Sequence, residues 1–140
     1  MVSNSMPFYV HIVMQAAFGD DWGSLFDLVV ARSLKPGFFV TGSPARSFLH
    51  PETQAPLSLS GCGLHMVFGG NDVELLEFIN ADGSSQRPTL FVGDSIIQDV
   101  IAPSLTGRWQ AAAIVEEVLA LQEQPCCHPL VLPQDGFPSM

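Results

Sequence analysis

The sequence predicts an α/β fold in which short strands alternate with helices. Three observations lead there. Apolar runs of strand length recur at residues 26–31, 89–92 and 109–115. Helix-like stretches separate them. The sharpest run, Thr89-Leu90-Phe91-Val92, stops at Gly93-Asp94, which puts a carboxylate at the C-terminal end of a strand, where open α/β sheets bind ligands. With 140 residues, 47% apolar and 14% charged, the chain has material for one buried core.

Taken in order, Met1-Val2 reads as the end of a buried strand and Ser3-Asn4-Ser5 as the polar turn after it. Two apolar residues fall short of the usual strand of about five or six, so the chain is expected to begin inside an element. A helix follows over residues 7–18. Pro7 suits its first turn, Val10, Val13, Met14 and Ala17 share a face, and Gly19 ends it. Residues 26–31, Phe-Asp-Leu-Val-Val-Ala, have the β-branched and aromatic content of a strand. Lys35-Pro36-Gly37 breaks the chain, and residues 38–41 and 47–50 predict a short hairpin across Gly42-Ser43-Pro44.

Residues 51–63 are loop-like in composition. Asn71, after Gly69-Gly70, is placed to cap a helix over residues 72–79 that turns Val73, Leu76 and Ile79 to one face. The strand ending at Gly93 leads into a helix carrying Ile97 and Val100. Residues 109–115 then read as a buried parallel strand and residues 116–122 as a helix. Pro125, Pro129, Pro133 and Pro138 mark a stretch that does not fold. The predicted division is a core over residues 1–120 and a Pro-rich, disordered tail over residues 121–140, with no internal repeat.

Charge narrows the partners. The net charge is −9 and Lys35 is the single lysine, which argues against nucleic acid and against anionic membrane surfaces. No apolar stretch approaches the roughly 18 residues of a membrane span. Cys62, Cys126 and Cys127 lack disulfide-framework spacing and point to a reducing, cytoplasmic setting.

The chemistry-bearing residues gather around strand ends. Asp94 and Asp99 are five residues apart at such an edge, an arrangement that suits Mg²⁺, which takes one or two carboxylates and completes its shell with water and phosphate oxygens. The alternative is an Asp in a strand-to-helix turn followed by an Asp near a helix N-terminus. Lys35, just past a strand, can offset phosphoryl charge, or it is an exposed turn lysine. Ser3 and Asn4 can donate to a phosphate oxygen, or cap the next helix. Cys62 has Phe68 where a cysteine-phosphatase loop needs arginine. Cys126-Cys127-His128 lacks the second ligand pair of a structural zinc site.

These segments, in this order, resemble the 5′-nucleotidase domain-containing family, relatives of cytosolic purine 5′-nucleotidase in the haloacid dehalogenase superfamily. The resemblance runs from Met1 to about Leu119. It is carried by Phe18-Gly19-Asp20-Asp21-Trp22, Phe26-Asp27-Leu28-Val29-Val30, Leu34-Lys35-Pro36-Gly37-Phe38-Phe39, Ser3-Asn4-Ser5, and Gly93-Asp94 through Asp99. It implies a Rossmann-like parallel sheet of order 3-2-1-4-5 and hydrolysis of a nucleoside monophosphate or other phosphomonoester through an aspartyl-phosphate. It also implies roles. Asp94 contacts Mg²⁺, Asp99 supports the site or its metal shell, Lys35 holds the phosphoryl group and orients the nucleophile, and Ser3 with Asn4 binds a phosphoryl oxygen.

The nucleophile and general acid of that family lie in an Asp-x-Asp motif after the first, central strand, and no Asp-x-Asp occurs in this sequence. The expectation is therefore a partial core lacking that strand: a fragment or short form, inactive alone, with open strand edges that favour self-association. The rival reading is a non-catalytic interaction protein on the same fold. A receiver-like phospho-acceptor fails, because its acidic pair would precede the hydroxyl and lysine.

Overall fold

The structure, a computed structural model, describes residues 1–39, 46–81 and 88–114. The expected helix over residues 116–122, the tail, Gly42-Ser43-Pro44 and Cys126-Cys127-His128 lie outside the described residues. The chain runs through α1 (Pro7–Phe18), a 3₁₀ turn (Asp20–Leu25), β1 (Val29–Ala31), β2 (Phe48–Leu49), β3 (Pro56–Leu57), β4 (Met66–Gly69) and α2 (Asp72–Ile79). It continues through β5 (Leu90–Gly93), a π-helical turn (Ile96–Ile101), α3 (Ala102–Leu105) and β6 (Gln110–Ala113). The architecture is mixed α/β with parallel pairing in both of its sheets.

One sheet has the order β1-β4-β2-β3, parallel between β1 and β4 and antiparallel elsewhere. Val2 adds a single parallel bridge to Val30, fixed by Ser3 N–H donating to the Val30 carbonyl and Val30 N–H to that of Met1, both at 2.8 Å. The other sheet is the parallel pair β5-β6. No strand among the described residues joins the two. Between them lies a cavity of about 520 Å³ whose walls include Val2, Leu28, Leu75, Phe78, Phe91 and Trp109.

What holds the two sheets together is aromatic packing and one buried carboxylate. Phe39 stands edge-on to Phe38, Phe91 and Trp109, with ring centroids 5.2, 5.0 and 6.0 Å away. It thus ties the turn after β1 to β5 and to the start of β6, in the offset geometry aromatic pairs prefer. Asp72, 2% exposed, accepts at one oxygen from Arg108 Nη2 (2.7 Å), Arg108 Nε (3.1 Å) and Trp109 Nε1 (3.1 Å). A carboxylate so deep is tolerated because its charge is paired and hydrogen-bonded.

α1, the Asn71 cap and β5 form where expected. Asn71 Oδ1 accepts the Glu74 N–H at 2.9 Å. Other expectations are corrected. Phe38 and Phe39 do not form a strand: the bond from Phe39 N–H to the Pro36 carbonyl makes this stretch a turn, and both rings pack into the core from it. The expected strand over residues 47–50 forms as β2, but its hairpin partner is β3, inside the stretch that reads as a loop. β4, unanticipated, pairs with both β1 and β2.

In α2 it is Asp72 and Leu75, not Val73 and Ile79, that face inward, because the Arg108 and Trp109 bonds to Asp72 fix the helix's rotation. In α1 only Val10 is buried, and Val13 and Ala17 are exposed along with Phe8 and Tyr9. The reason is that Val10 packs with Trp22 and Val29 while no other described element covers the helix. β6 pairs in parallel as expected but is half-exposed rather than buried.

Candidate functional site

Three chain segments meet at the C-terminal edge of the strands, and Asn4 is the junction. Its Nδ2 donates to the Lys35 carbonyl (3.0 Å) and to Gln98 Oε1 (2.9 Å). Its Oδ1 accepts from Ser33 Oγ (2.9 Å) and from the Lys35 N–H (2.6 Å). Two donors and two acceptances use an amide's full capacity. The Asn4 side chain therefore ties the turn after Val2 to the turn after β1 and to the π-helical turn after β5. Ser33, fully buried, needs this partner, since an unbonded buried hydroxyl is costly.

Ser3 sits at the root of this junction. Its Oγ accepts the Ser5 N–H at 3.1 Å, and its carbonyl accepts the Ser33 N–H at 3.0 Å. Among the described residues the Ser3 hydroxyl donates to no partner.

Lys35 closes the site from the other side. Its Nζ lies 2.5 Å from Asp99 Oδ1, with side-chain exposures of 11% and 3%, and 5.3 Å from the Phe91 ring centroid. Removing either charge leaves the other buried alone, the expensive half of such a pair. Asp99 Oδ2 also accepts the Ser95 N–H at 3.1 Å, so both carboxylate oxygens are engaged. Room for this carboxylate comes from Gly93. A Cβ there would lie 2.4–2.5 Å from Asp99 Oδ2, Cβ and Cγ. Ser95 Oγ accepts the Gln98 N–H and starts the turn that carries Asp99 and Gln98 inward.

Asp94 differs from Asp99. It is exposed and has no hydrogen-bond or ion-pair partner among the described residues. A solvated, unpartnered carboxylate beside a neutralised one is a donor set that fits a cation carrying most of its own water shell. Among the described residues no three His, Cys, Asp or Glu side chains cluster as a closed metal cage. The exposed Asp94 carboxylate, next to an Asp99 already neutralised by Lys35, thus fits a hydrated divalent cation.

Sequence reasoning singled out Ser3, Asn4, Lys35, Asp94 and Asp99, and all five lie at this edge. It missed Ser33, Gln98 and the space made by Gly93. Gly93 had a signal, a glycine directly before the carboxylate, whereas Gln98 had none. His11 accepts from the Trp22 indole at 3.3 Å, and His50 Nδ1 accepts turn N–H groups of Glu52 and Thr53, so neither belongs to the site. No helix among the described residues is long and apolar enough to cross a membrane.

Comparison with known proteins adds a family. The model of the 5′ nucleotidase family matches residues 1–124. The chain is 29% identical to human (Homo sapiens) 5′-nucleotidase domain-containing protein 1 over 123 residues, covering 84% of this chain and 27% of that protein. It is 28% identical to the Bos taurus protein of the same name, with the same coverage. Against a 5′-nucleotidase domain-containing protein of Dictyostelium discoideum the identity is 24% over 137 residues, 89% of this chain and 23% of that one. The chain spans about a quarter of the length of the curated relatives it matches.

Proposed function

Because the chain belongs to the 5′ nucleotidase family, we propose that its strand edge is the phosphate-handling half of an Mg²⁺-dependent phosphomonoester hydrolase of the haloacid dehalogenase type, acting on nucleoside monophosphates in the cytoplasm. The observation that carries this reading is the convergence of Ser3, Lys35 and Asp99, 96 residues apart at the extremes (99 − 3), through the bonds of Asn4 and the Lys35–Asp99 pair, with Asp94 at the end of the strand that leads to Asp99.

Mg²⁺, held at Asp94, would supply positive charge to the phosphoryl oxygens. Ser3 Oγ–H donates to one of those oxygens. Asn4, its amide already engaged, acts by holding Ser3 and the Lys35 turn in register. Lys35 keeps its ammonium at the site while Asp99 anchors it, which favours a transition state whose charge sits on the equatorial oxygens.

No Asp-x-Asp occurs in the sequence, so covalent acceptance of the phosphoryl group and protonation of the leaving alkoxide fall to a strand these 140 residues do not supply. The cavity between Val2 and β5 supports that division of labour, because a strand there would bring its C-terminal end between Ser3 and Asp94. The same open edges support self-association of the isolated chain. A second reading, a non-catalytic interaction protein, is favoured by the exposed Phe8, Tyr9, Ile12 and Phe18 of α1.

One experiment separates the two. The chain is assayed on nucleoside monophosphates with Mg²⁺, alone and fused to a segment supplying a strand and Asp-x-Asp. The hydrolase reading expects turnover only in the fusion, lost on Lys35→Ala or Asp94→Asn. An inactive, well-folded fusion favours the interaction protein. Turnover by the bare chain that depends on Lys35 would reveal another nucleophile and overturn the mechanism.

A further inference from the structure

The chain carries five Lys and Arg residues against fourteen Asp and Glu, so an unpaired cation is scarce. Of the four that are described, Lys35 is paired with Asp99 and Arg108 with Asp72. Arg32 and Arg46 have no carboxylate partner among the described residues, and they line the same pocket, about 380 Å³ in volume.

The backbone explains why both border it. Along the turn after β1, Ser33 Oγ and the Lys35 N–H engage Asn4, while Arg32 and Leu34 border the pocket. Both hold left-handed backbone, at φ 51° and 59°, a conformation that a long or branched side chain adopts only where its surroundings require it. Arg46 arrives from the segment before β2, with its guanidinium packed on the same turn: a Cβ on Gly37 would lie 3.4 Å from Nη1. Leu34, Leu49, Pro56 and Phe68 give the pocket apolar walls, beside Ser47 and the Gly69-Gly70 backbone.

Two arginines lining one pocket leave unneutralised positive charge there, and the fork geometry of guanidinium matches carboxylate and phosphate oxygens. We propose that this pocket is a second binding site, separate from the phosphoryl-handling edge, for a small organic anion. Its phosphate or carboxylate group lies between Arg32 and Arg46, and its apolar part lies against Leu49, Pro56 and Phe68. The site needs no metal and does not rest on the hydrolase reading.

The test is NMR titration of the full 140-residue chain, without divalent cation, using phenylphosphonate, benzoate and inorganic phosphate as probes. Saturable shifts should appear at Arg32, Leu34, Leu49 and Phe68. Phenylphosphonate or benzoate, whichever carries the matching headgroup, should bind more tightly than inorganic phosphate. Arg32→Gln and Arg46→Gln should each weaken it by about tenfold or more, the scale of one charge-assisted hydrogen bond. Arg46→Lys, which keeps the charge and the fold, should retain part of the affinity.

Three results would overturn the site. These are no saturation by any probe, equal affinity for inorganic phosphate and both aromatic probes, or indifference to both Arg→Gln changes in variants whose spectra stay dispersed.

Discussion

Replacing Gly93 by alanine tests the geometry on which the site depends. The added Cβ would sit 2.4–2.5 Å from three atoms of Asp99, about 1 Å inside van der Waals contact, and one of the three is the Asp99 Cβ, which no rotamer change can move. The Gly93 φ lies outside the left-handed range, so the cost is steric and falls on the π-helical turn.

Overpacking of this kind costs about 1–3 kcal/mol. If the turn yields, Asp99 leaves Lys35, and breaking a buried pair costs about 3–5 kcal/mol. The expected loss is therefore about 3 kcal/mol or more. With a urea slope of about 1.5 kcal/mol per molar, that is a shift of about 2 M in the unfolding midpoint. The decisive comparison is a double-mutant cycle with Asp99→Gly, which removes the clashing side chain. In that background Gly93→Ala should cost at least about 1 kcal/mol less than in the wild type. Equal costs in the two backgrounds, or a single-mutant loss under about 1 kcal/mol, would refute the argument that Gly93 exists to admit Asp99.

Asp94→Asn should weaken Mg²⁺ binding measured by calorimetry while changing stability by less than about 0.5 kcal/mol, because the carboxylate is exposed and unpartnered. Asp72→Asn removes the charge that Arg108 and Trp109 share and should cost about 3 kcal/mol in urea unfolding, at the low end for a buried pair because Arg108 can regain some water. Hydrogen exchange should distinguish alternate amides of β5. Gln110 N–H bonds to the Thr89 carbonyl and Ile114 N–H to that of Gly93, so in this parallel ladder Phe91 faces β6 while Leu90 and Val92 face the cavity. Leu90 and Val92 should exchange faster than Phe91, and strong protection of all three in a demonstrated monomer would mean the edge is covered.

Local rules sufficed for elements whose signals are local. Pro7 and Gly19 bracket α1, Asn71 caps α2, and the apolar run into Gly93-Asp94 marks β5. They failed where a distant partner decides. Nothing near Asp72 in the sequence announces Arg108 and Trp109, and without them the apolar spacing of Val73, Leu76 and Ile79 wins by default. Phe38-Phe39 has strand composition, and only the core on either side of the turn shows why both rings go inward. The candidate site followed the same division. Lys35, Asp94 and Asp99 are legible as charged groups at strand ends, whereas the part played by Asn4 depends on Ser33 and Gln98, and Gln98 is 94 residues away.

That separation bears on when the site comes into being. Closing a loop of 94 residues costs chain entropy that no single amide bond can offset, so the Asn4–Gln98 contact cannot help nucleate folding. It should form only after the two sheets have been brought together around Phe39. Conservative changes at Asn4 should accordingly leave the folding rate nearly unchanged and appear almost wholly as faster unfolding. A chain caught partway along its folding route would hold its aromatic core yet lack the Asn4 junction, so the geometry of this strand edge arrives last and is the first feature lost when the molecule opens.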